Sequence, residues 1–502
     1  MVTRQTAMHP RPIIVWFRQD LRLADNPALV QALKVGPIIP LFVLDDVISG
    51  IWKLGGASRW WLHHSLQSLA ADLEARGSKL IVRKGAAEAV IASVAAETNA
   101  EAVYWNRLYE PYAIARDAQI KAALAANSVS THSFNASLLA EPWTVKTGSD
   151  SPYRVFTPFW RSLSSRYRNE PLLLAPREMR APSAWPQSDA IRAWQLLPAK
   201  PDWTKGFASS WRPGEHGAHQ TMVNFLDLAL DGYAANRDRP DMAGTSRLSP
   251  HLHWGEIGPR QIWHALATSM DRNDGVETHA TKFLTEIGWR EFAYHLLYHF
   301  PQMTERNLNP AFDRFPWVDC EKRFKAWSSG RTGYPIVDAG MRELWATGYM
   351  HNRVRMITAS FLVKHLLIPW QHGARWFWDT LLDADLANNS ASWQWVAGSG
   401  ADAAPFFRIF NPMIQGEKFD PDGRYVRNWV PELAGVDTKH IHRPWTASNF
   451  TSLGYAPPIV DHVRARSQAL EAFKMCSNAA SSPGASGPIV PPPTFRNRVR
   501  ER

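Results

Sequence analysis

A chain of 502 residues is too long for one hydrophobic core, and roughly two to four structural units are expected. The 45% hydrophobic content is that of a globular protein, and two distant cysteines, Cys320 and Cys476, exclude a disulfide framework, a multi-cysteine zinc site and a four-cysteine iron–sulfur cluster, so no metal site is expected and a reducing, cytoplasmic setting fits. A formal charge of +10 favours a polyanionic partner such as nucleic acid, and the 24 tryptophans serve either a Trp-rich core or base stacking and electron transfer. The opening MVTRQTAMHPRP lacks an apolar signal core and no run of about 18 apolar residues occurs, so neither secretion nor membrane insertion is indicated.

In chain order, residues 1–11 are expected to be disordered. From 12 to 139, IIVWF (13–17), IIPLFVL (38–44), KLIV (79–82) and AVYW (102–105) read as buried parallel strands separated by helical stretches such as SRWWLHHSLQSLAADLEAR. The alternation predicts a doubly wound α/β domain. FRQDLRLADNPAL stands where a G-x-G-x-x-G turn would follow the first strand, which argues against a nicotinamide oxidoreductase. Prolines and tryptophans break up residues 140–215, as in a connection draped over the surface. From 216 to 474 apolar residues fall at helical spacing and predict an all-α domain; the small, Pro-rich, then basic tail 475–502 reads as disordered.

Three stretches of the helical half carry chemistry. GTSRLSPHLHWGEIG (244–258) gathers hydroxyls around Arg247 and places Ser249-Pro250 as an N-cap followed by a helix-starting proline, a pattern suited to an anion but equally to a plain helix start. TEIGWREF sets Glu286 and Trp289 on one helical face with Arg290 beside them. In MHNRVRMITASFLVKHLL, Asn352 and Met356 share a face while Arg353 and Arg355 interrupt an apolar helix and need partners, for which the acids of DADLANNSASWQWVAGSG (383–400) are the candidates. That last stretch combines acids, amides and two tryptophans, which a cofactor pocket can use together and a core or a solvated loop cannot.

These motifs, together with VWFRQDLRLADNPAL, TGYPIVDAGMRELWATGYMHNR and QGEKFDPDGRYVRNWVPEL, resemble the photolyase and cryptochrome family from about residue 12 to 445 in family order, most like its bacterial members that repair cyclobutane pyrimidine dimers. The resemblance implies an antenna-binding α/β domain followed by a helical domain holding non-covalent FAD. Carried over, Tyr233, Thr245, Ser246, Arg247, Leu248 and Ser249 would hold the phosphates and neighbouring groups. Asp383 and Asp385 would line the ribose and flavin, with Arg355 paired to Asp383, and Asn389 would face flavin N5 as a neutral amide. Trp393, Trp370 and Trp317 align with the family's photoreduction chain. Glu286, Trp289, Arg290, Asn352, Arg353, Met356 and Trp395 align with its contacts to the lesion. The resemblance further implies light-driven repair of DNA containing pyrimidine dimers by a monomer, with Glu110 in NRLYEP set against an antenna expected to be 5,10-methenyltetrahydrofolate. Two departures stand out: Phe283 where several bacterial relatives carry Trp, and an ANNSASWQWVAG run closer to the plant-cryptochrome branch, whose members act as blue-light receptors without repair.

Overall fold

The computed structural model describes residues 10–47 and 49–480. Five parallel strands, β1 (Ile13–Phe17), β2 (Ile38–Leu44), β3 (Ile81–Lys84), β4 (Ala102–Asn106) and β5 (Ser130–Phe134), form one sheet in the order β3-β2-β1-β4-β5, with Ile13 opposite both Ile38 and Ala102. β1, β2 and β4 are buried along their whole length, as continuous apolar runs covered by helices on both faces must be. The fifth strand, STHSF, escaped prediction because it lies at the edge, half-exposed and polar, without an apolar run. The crossover helices are cut as the sequence dictates: Asn26 accepts from Leu29 N–H at 3.1 Å, and Pro27 opens the helix that ends at Val35.

The second half is all-helical, confirming the expected architecture. Its long Glu277–His299 helix packs on Leu386–Ala397, which packs in turn on Trp370–Thr380. The expected helix over 350–367 is α-helical only from Asn352 to Ser360 and then widens into a π turn over Phe361–His365. The 140–215 connection is more than a surface strap. Within it, helix Phe156–Arg166 buries Phe156, Phe159 and Leu163 in the core of the helical domain, and Phe156 lies flat on Trp289 with centroids 3.7 Å apart. The expected break at 474 also moves: the last helix runs from His462 to Ala480 because Ala469, Ala472 and Cys476 pack on Phe312 and Phe406, Cys476 donating to Ala311 O at 2.8 Å. At the other end Arg11 is fixed by the carbonyls of Asn99 and Ala100. The rest of the two expected disordered ends, 1–9 and 481–502, falls outside the described residues.

The domains are joined by a seam of buried polar groups. Arg22, 1% exposed, donates to the carbonyls of Ala24, Asp25 and Ala136 from one side and Gly255 from the other. Glu256 accepts from Trp61 Nε1 and Gly214 N–H and pairs with His251. Gly255 is obligatory there: it sits at φ +64, and a Cβ would fall 2.1 Å from Gln19 O. Among the described residues no helix is long and apolar enough to cross a membrane.

Candidate functional site

A cavity of about 580 Å³ opens in the helical domain, within the range of ligand sites. Every residue that the resemblance assigns to cofactor, lesion, antenna or photoreduction lines it except Trp317, Trp370 and Glu110. Its inner end is formed by Asp383, Asp385 and Trp393, all buried, and its outer end by half-buried Trp289, Met356 and Trp395 and exposed Asn352.

Two carboxylates of one short segment have separate partners. Asp383 takes a two-pronged grip from Arg355, at 3.0 and 2.8 Å, as expected for the arginine that interrupts an apolar helix. It also accepts from Ser249 Oγ at 2.5 Å. Ser249 therefore does not cap the short helix Ser249–His253 as the letters predict; its hydroxyl turns to the acid. Asp385 caps the Leu386–Ala397 helix through Asn388 N–H at 2.8 Å and accepts from Asn388 Nδ2 and Tyr294 O–H. Burial pushes Asp385 upward, but the hydrogen bonds of His253 and Tyr294 and the charges of His253 and Arg290 outweigh it and hold the carboxyl well below the usual range. The same surroundings drive the Tyr294 phenol well above its ordinary value, burial first.

Asn389 gives its Nδ2 to Ala374 O at 3.0 Å, an acceptor that requires the amide nitrogen, which leaves Oδ1 as its free polar atom. Arg247 stands in the left-handed region at φ +53, its guanidinium over Trp211 and Tyr349; Arg355 also covers Tyr349. These cations, with the hydroxyls of Thr245 and Ser246, fit a dinucleotide carrying phosphates and a ribose.

Trp393 is 2% exposed and lies against the backbone of the Trp370–Thr380 helix at Gly373, where a Cβ would come 2.1 Å from its Cη2. Trp370 is one turn earlier on that helix, fully buried, donating to Asn307 Oδ1 at 2.9 Å. Trp317 is half-buried with its ring tilted against Phe315, centroids 4.3 Å apart, and its neighbour Val318 is tied to Leu367 O, three residues before Trp370. The three rings thus belong to one continuous patch of packing.

At the outer end the structure supplies partners that sequence reading missed. Glu286 is clasped by Arg237, with Lys282 at 3.6 Å, and Arg353 pairs with Asp238 at 2.7 Å. The only signal was the charged run NRDRPD, which reads as a solvated loop. Trp289 already has one face covered by Phe156. Arg290 lines the cavity and donates to Ser137 O at 2.6 Å, at 9% exposure, so it also ties the helical domain to the α/β domain. Glu110 is 2% exposed at the start of helix Pro111–Ala126, away from the cavity lining.

Among the described residues no group of His, Cys, Asp and Glu could hold a metal ion. Residues 13–181 match the family model described as DNA photolyase, and residues 283–475 match the FAD binding domain of DNA photolyase. The deoxyribodipyrimidine photo-lyase of Agrobacterium fabrum is 51% identical over 474 residues, 92% of this chain and 97% of that protein. Cryptochrome-1 of Arabidopsis thaliana is 42% identical over 86% of this chain and 65% of its own length. The crystal structure of a bacterial class III photolyase from Agrobacterium tumefaciens superposes with a TM-score of 0.91 at 49% identity, covering 95% of this chain and all of that one. With an α/β domain joined to a helical domain that holds this cavity, the chain belongs to the DNA photolyase family.

Proposed function

We propose that the protein is a light-driven lyase that splits cyclobutane pyrimidine dimers in DNA, with reduced FAD as electron donor and a second chromophore as antenna. The observation that carries the reading is the order of groups along one cavity: Asp383, Asp385, Asn389 and Trp393 at its buried end, Glu286, Trp289, Asn352, Met356 and Trp395 at its open end. A dimer turned out of the duplex into that mouth would lie against a flavin lodged behind it. Photolyases are themselves among the enzymes known to take a target base out of the stack.

When bound, reduced FAD supplies the electron that light promotes. The chain's residues do the rest. Arg355 and the hydroxyls of Thr245, Ser246 and Ser249 would hold the cofactor, and Asn389 would offer it Oδ1 without adding charge. Trp289, Met356 and Trp395 give the dimer apolar walls, and Asn352 an amide to read its edge. Glu286 hydrogen-bonds the dimer, while Arg237 keeps positive charge where negative charge arrives. The two cyclobutane bonds would open with no net redox change. Arg353 and the positive balance of the chain engage phosphates without reading sequence. The reading extends to a monomer acting in the cytoplasm, with methenyltetrahydrofolate as the proposed antenna and Glu110 as its proposed contact on motif resemblance.

The test is illumination of the reduced protein with an oligothymidine carrying cyclobutane dimers, following recovery of thymine absorbance. Recovery should require light and fall roughly tenfold or more in Glu286→Ala with FAD retained. No recovery from protein that binds FAD and photoreduces it would leave a blue-light receptor in place of a repair enzyme.

A further inference from the structure

Five charged side chains form one ladder across the mouth of the cavity. Lys282 and Glu286 belong to the Glu277–His299 helix, Arg237 and Asp238 to the segment that follows Tyr233–Asn236, and Arg353 to the start of the Asn352–Ser360 helix. Glu286 is shared by Lys282 and Arg237, while Asp238 stands between Arg237, 3.9 Å away, and Arg353, 2.7 Å away. Of these five only Asp238 does not line the cavity. The repair chemistry uses Glu286, Arg237 and Arg353 and gives Asp238 no task. A carboxylate beside the entrance to a site for a polyanion repels the substrate, so its presence there calls for a reason.

Arg353 is only partly satisfied by that carboxylate. Its Nη2 donates to Asp238 Oδ2, its Nη1 has the Met356 sulfur at 3.8 Å, and the guanidinium lies over the Phe419 ring. The Nε of Arg353 is buried and has no hydrogen-bond partner. A phosphodiester presents paired oxygens that match the guanidinium fork, which one oxygen of Asp238 does not. The side chains of Asp238 and Arg353 are 38% and 21% exposed, so the pair is of the weak surface kind that a better ligand can replace. Arg353 also stands where the cavity meets a second groove, of about 440 Å³, whose wall carries the exposed cations Arg408 and Lys418.

We propose that Asp238 is a specificity-determining residue: its carboxylate occupies Arg353 in place of a phosphate and yields it only to a strand whose lesion has entered the cavity, an inference that rests on the repair reading above. A nucleotide turned into the cavity brings its own flanking phosphate to the rim, where Arg353 joins the cavity to the groove. An intact strand stays stacked outside and meets Asp238, the more exposed of the two, before it reaches the guanidinium. Exchange of carboxylate for phosphate on Arg353 moves no proton and breaks no covalent bond. Contacts to phosphate carry no sequence information, so discrimination here comes from which strand can deliver a phosphate to that point.

The test measures binding of the whole protein to two oligonucleotides of one sequence, one carrying a cyclobutane dimer and one undamaged, by fluorescence anisotropy from about 50 to about 200 mM salt. Asp238→Asn should bind the undamaged strand about three- to tenfold more tightly than wild type, with a salt dependence steeper by about one phosphate contact. Its affinity for the dimer should change less than about threefold, so discrimination falls. Asp231→Asn, which removes an exposed acid seven positions earlier, should change either affinity less than about twofold. In an Arg353→Gln background the gain from Asp238→Asn should vanish, a coupling that neither net charge nor a folding role produces. An undamaged-strand affinity and salt slope unchanged by Asp238→Asn, an equal gain from Asp231→Asn, or a gain that survives Arg353→Gln would each overturn the proposal. Absence of light-driven dimer splitting would defeat the repair reading separately, and the double variant would still decide whether Asp238 withholds Arg353 from phosphate.

Discussion

Glu343 gives a prediction whose size follows from the structure. The residue is 9% exposed behind the cavity wall, and both of its hydrogen bonds, from Tyr425 O–H at 2.6 Å and His351 N–H at 3.3 Å, end on Oε2. Burial raises its carboxyl to about 7, the Tyr425 and His351 bonds and the charges of Arg247 and Arg355 opposing it. The folded chain therefore keeps the proton over a range in which the unfolded chain, at the ordinary 4.5, has lost it. With more protons bound in the folded state, stability falls as pH rises from 4.5 to about 7 and is level beyond. That gap, at about 1.4 kcal/mol per pH unit, amounts to about 3 kcal/mol. Glu343→Gln mimics the protonated acid: its oxygen can take both bonds, and its NH₂ replaces Oε1. The variant should match wild type near pH 4.5 and exceed it by up to about 3 kcal/mol at pH 8, read as urea midpoints at the two pH values. A variant less stable than wild type at pH 8 would show that the carboxylate is needed in ionised form, held by Arg247 and Arg355, and that the reasoning from burial is wrong.

Removing the partner of Asp383 should be severe. Arg355→Ala leaves a buried carboxylate with only Ser249, costing roughly 3–5 kcal/mol, and FAD affinity should fall with it; Arg355→Lys should restore little, lacking the two-pronged grip. Flavin titration and thermal melting report both effects, and an Arg355→Ala protein with wild-type FAD affinity would remove the pair from the binding site. Gly373→Ala pushes a methyl into the Trp393 ring, which should cost about 1–3 kcal/mol and slow light-driven flavin reduction; unchanged photoreduction would mean that the ring's seat against the helix is unimportant.

Strands β1, β2 and β4 were legible because parallel strands buried on both faces are uninterrupted apolar runs, and β5 was not because an edge strand has no such run. The Phe156–Arg166 helix was hidden by flanking prolines, although its Phe156 and Phe159 belong to the core of the second domain. The Arg355–Asp383 pair could be anticipated because an arginine in an apolar helix demands an acid. Arg237 and Glu286, 49 positions apart, could not, since either residue alone reads as solvated surface. The Arg290 bond to Ser137 O could not be anticipated either: position on a helix face places a side chain's base but not the partner of its guanidinium.

The seam through Arg22 and Glu256 constrains how such a chain can be re-engineered. Arg22 is held by carbonyls from both domains, and Glu256 by an indole on one side and a glycine amide and a histidine on the other. A chimera that grafts the α/β half of one relative onto the helical half of another must therefore transplant these residues as a matched set. Exchange the halves without them, and each leaves buried hydrogen-bonding groups facing strangers, so domain shuffling in this architecture is a negotiation over a handful of interfacial atoms more than over either core.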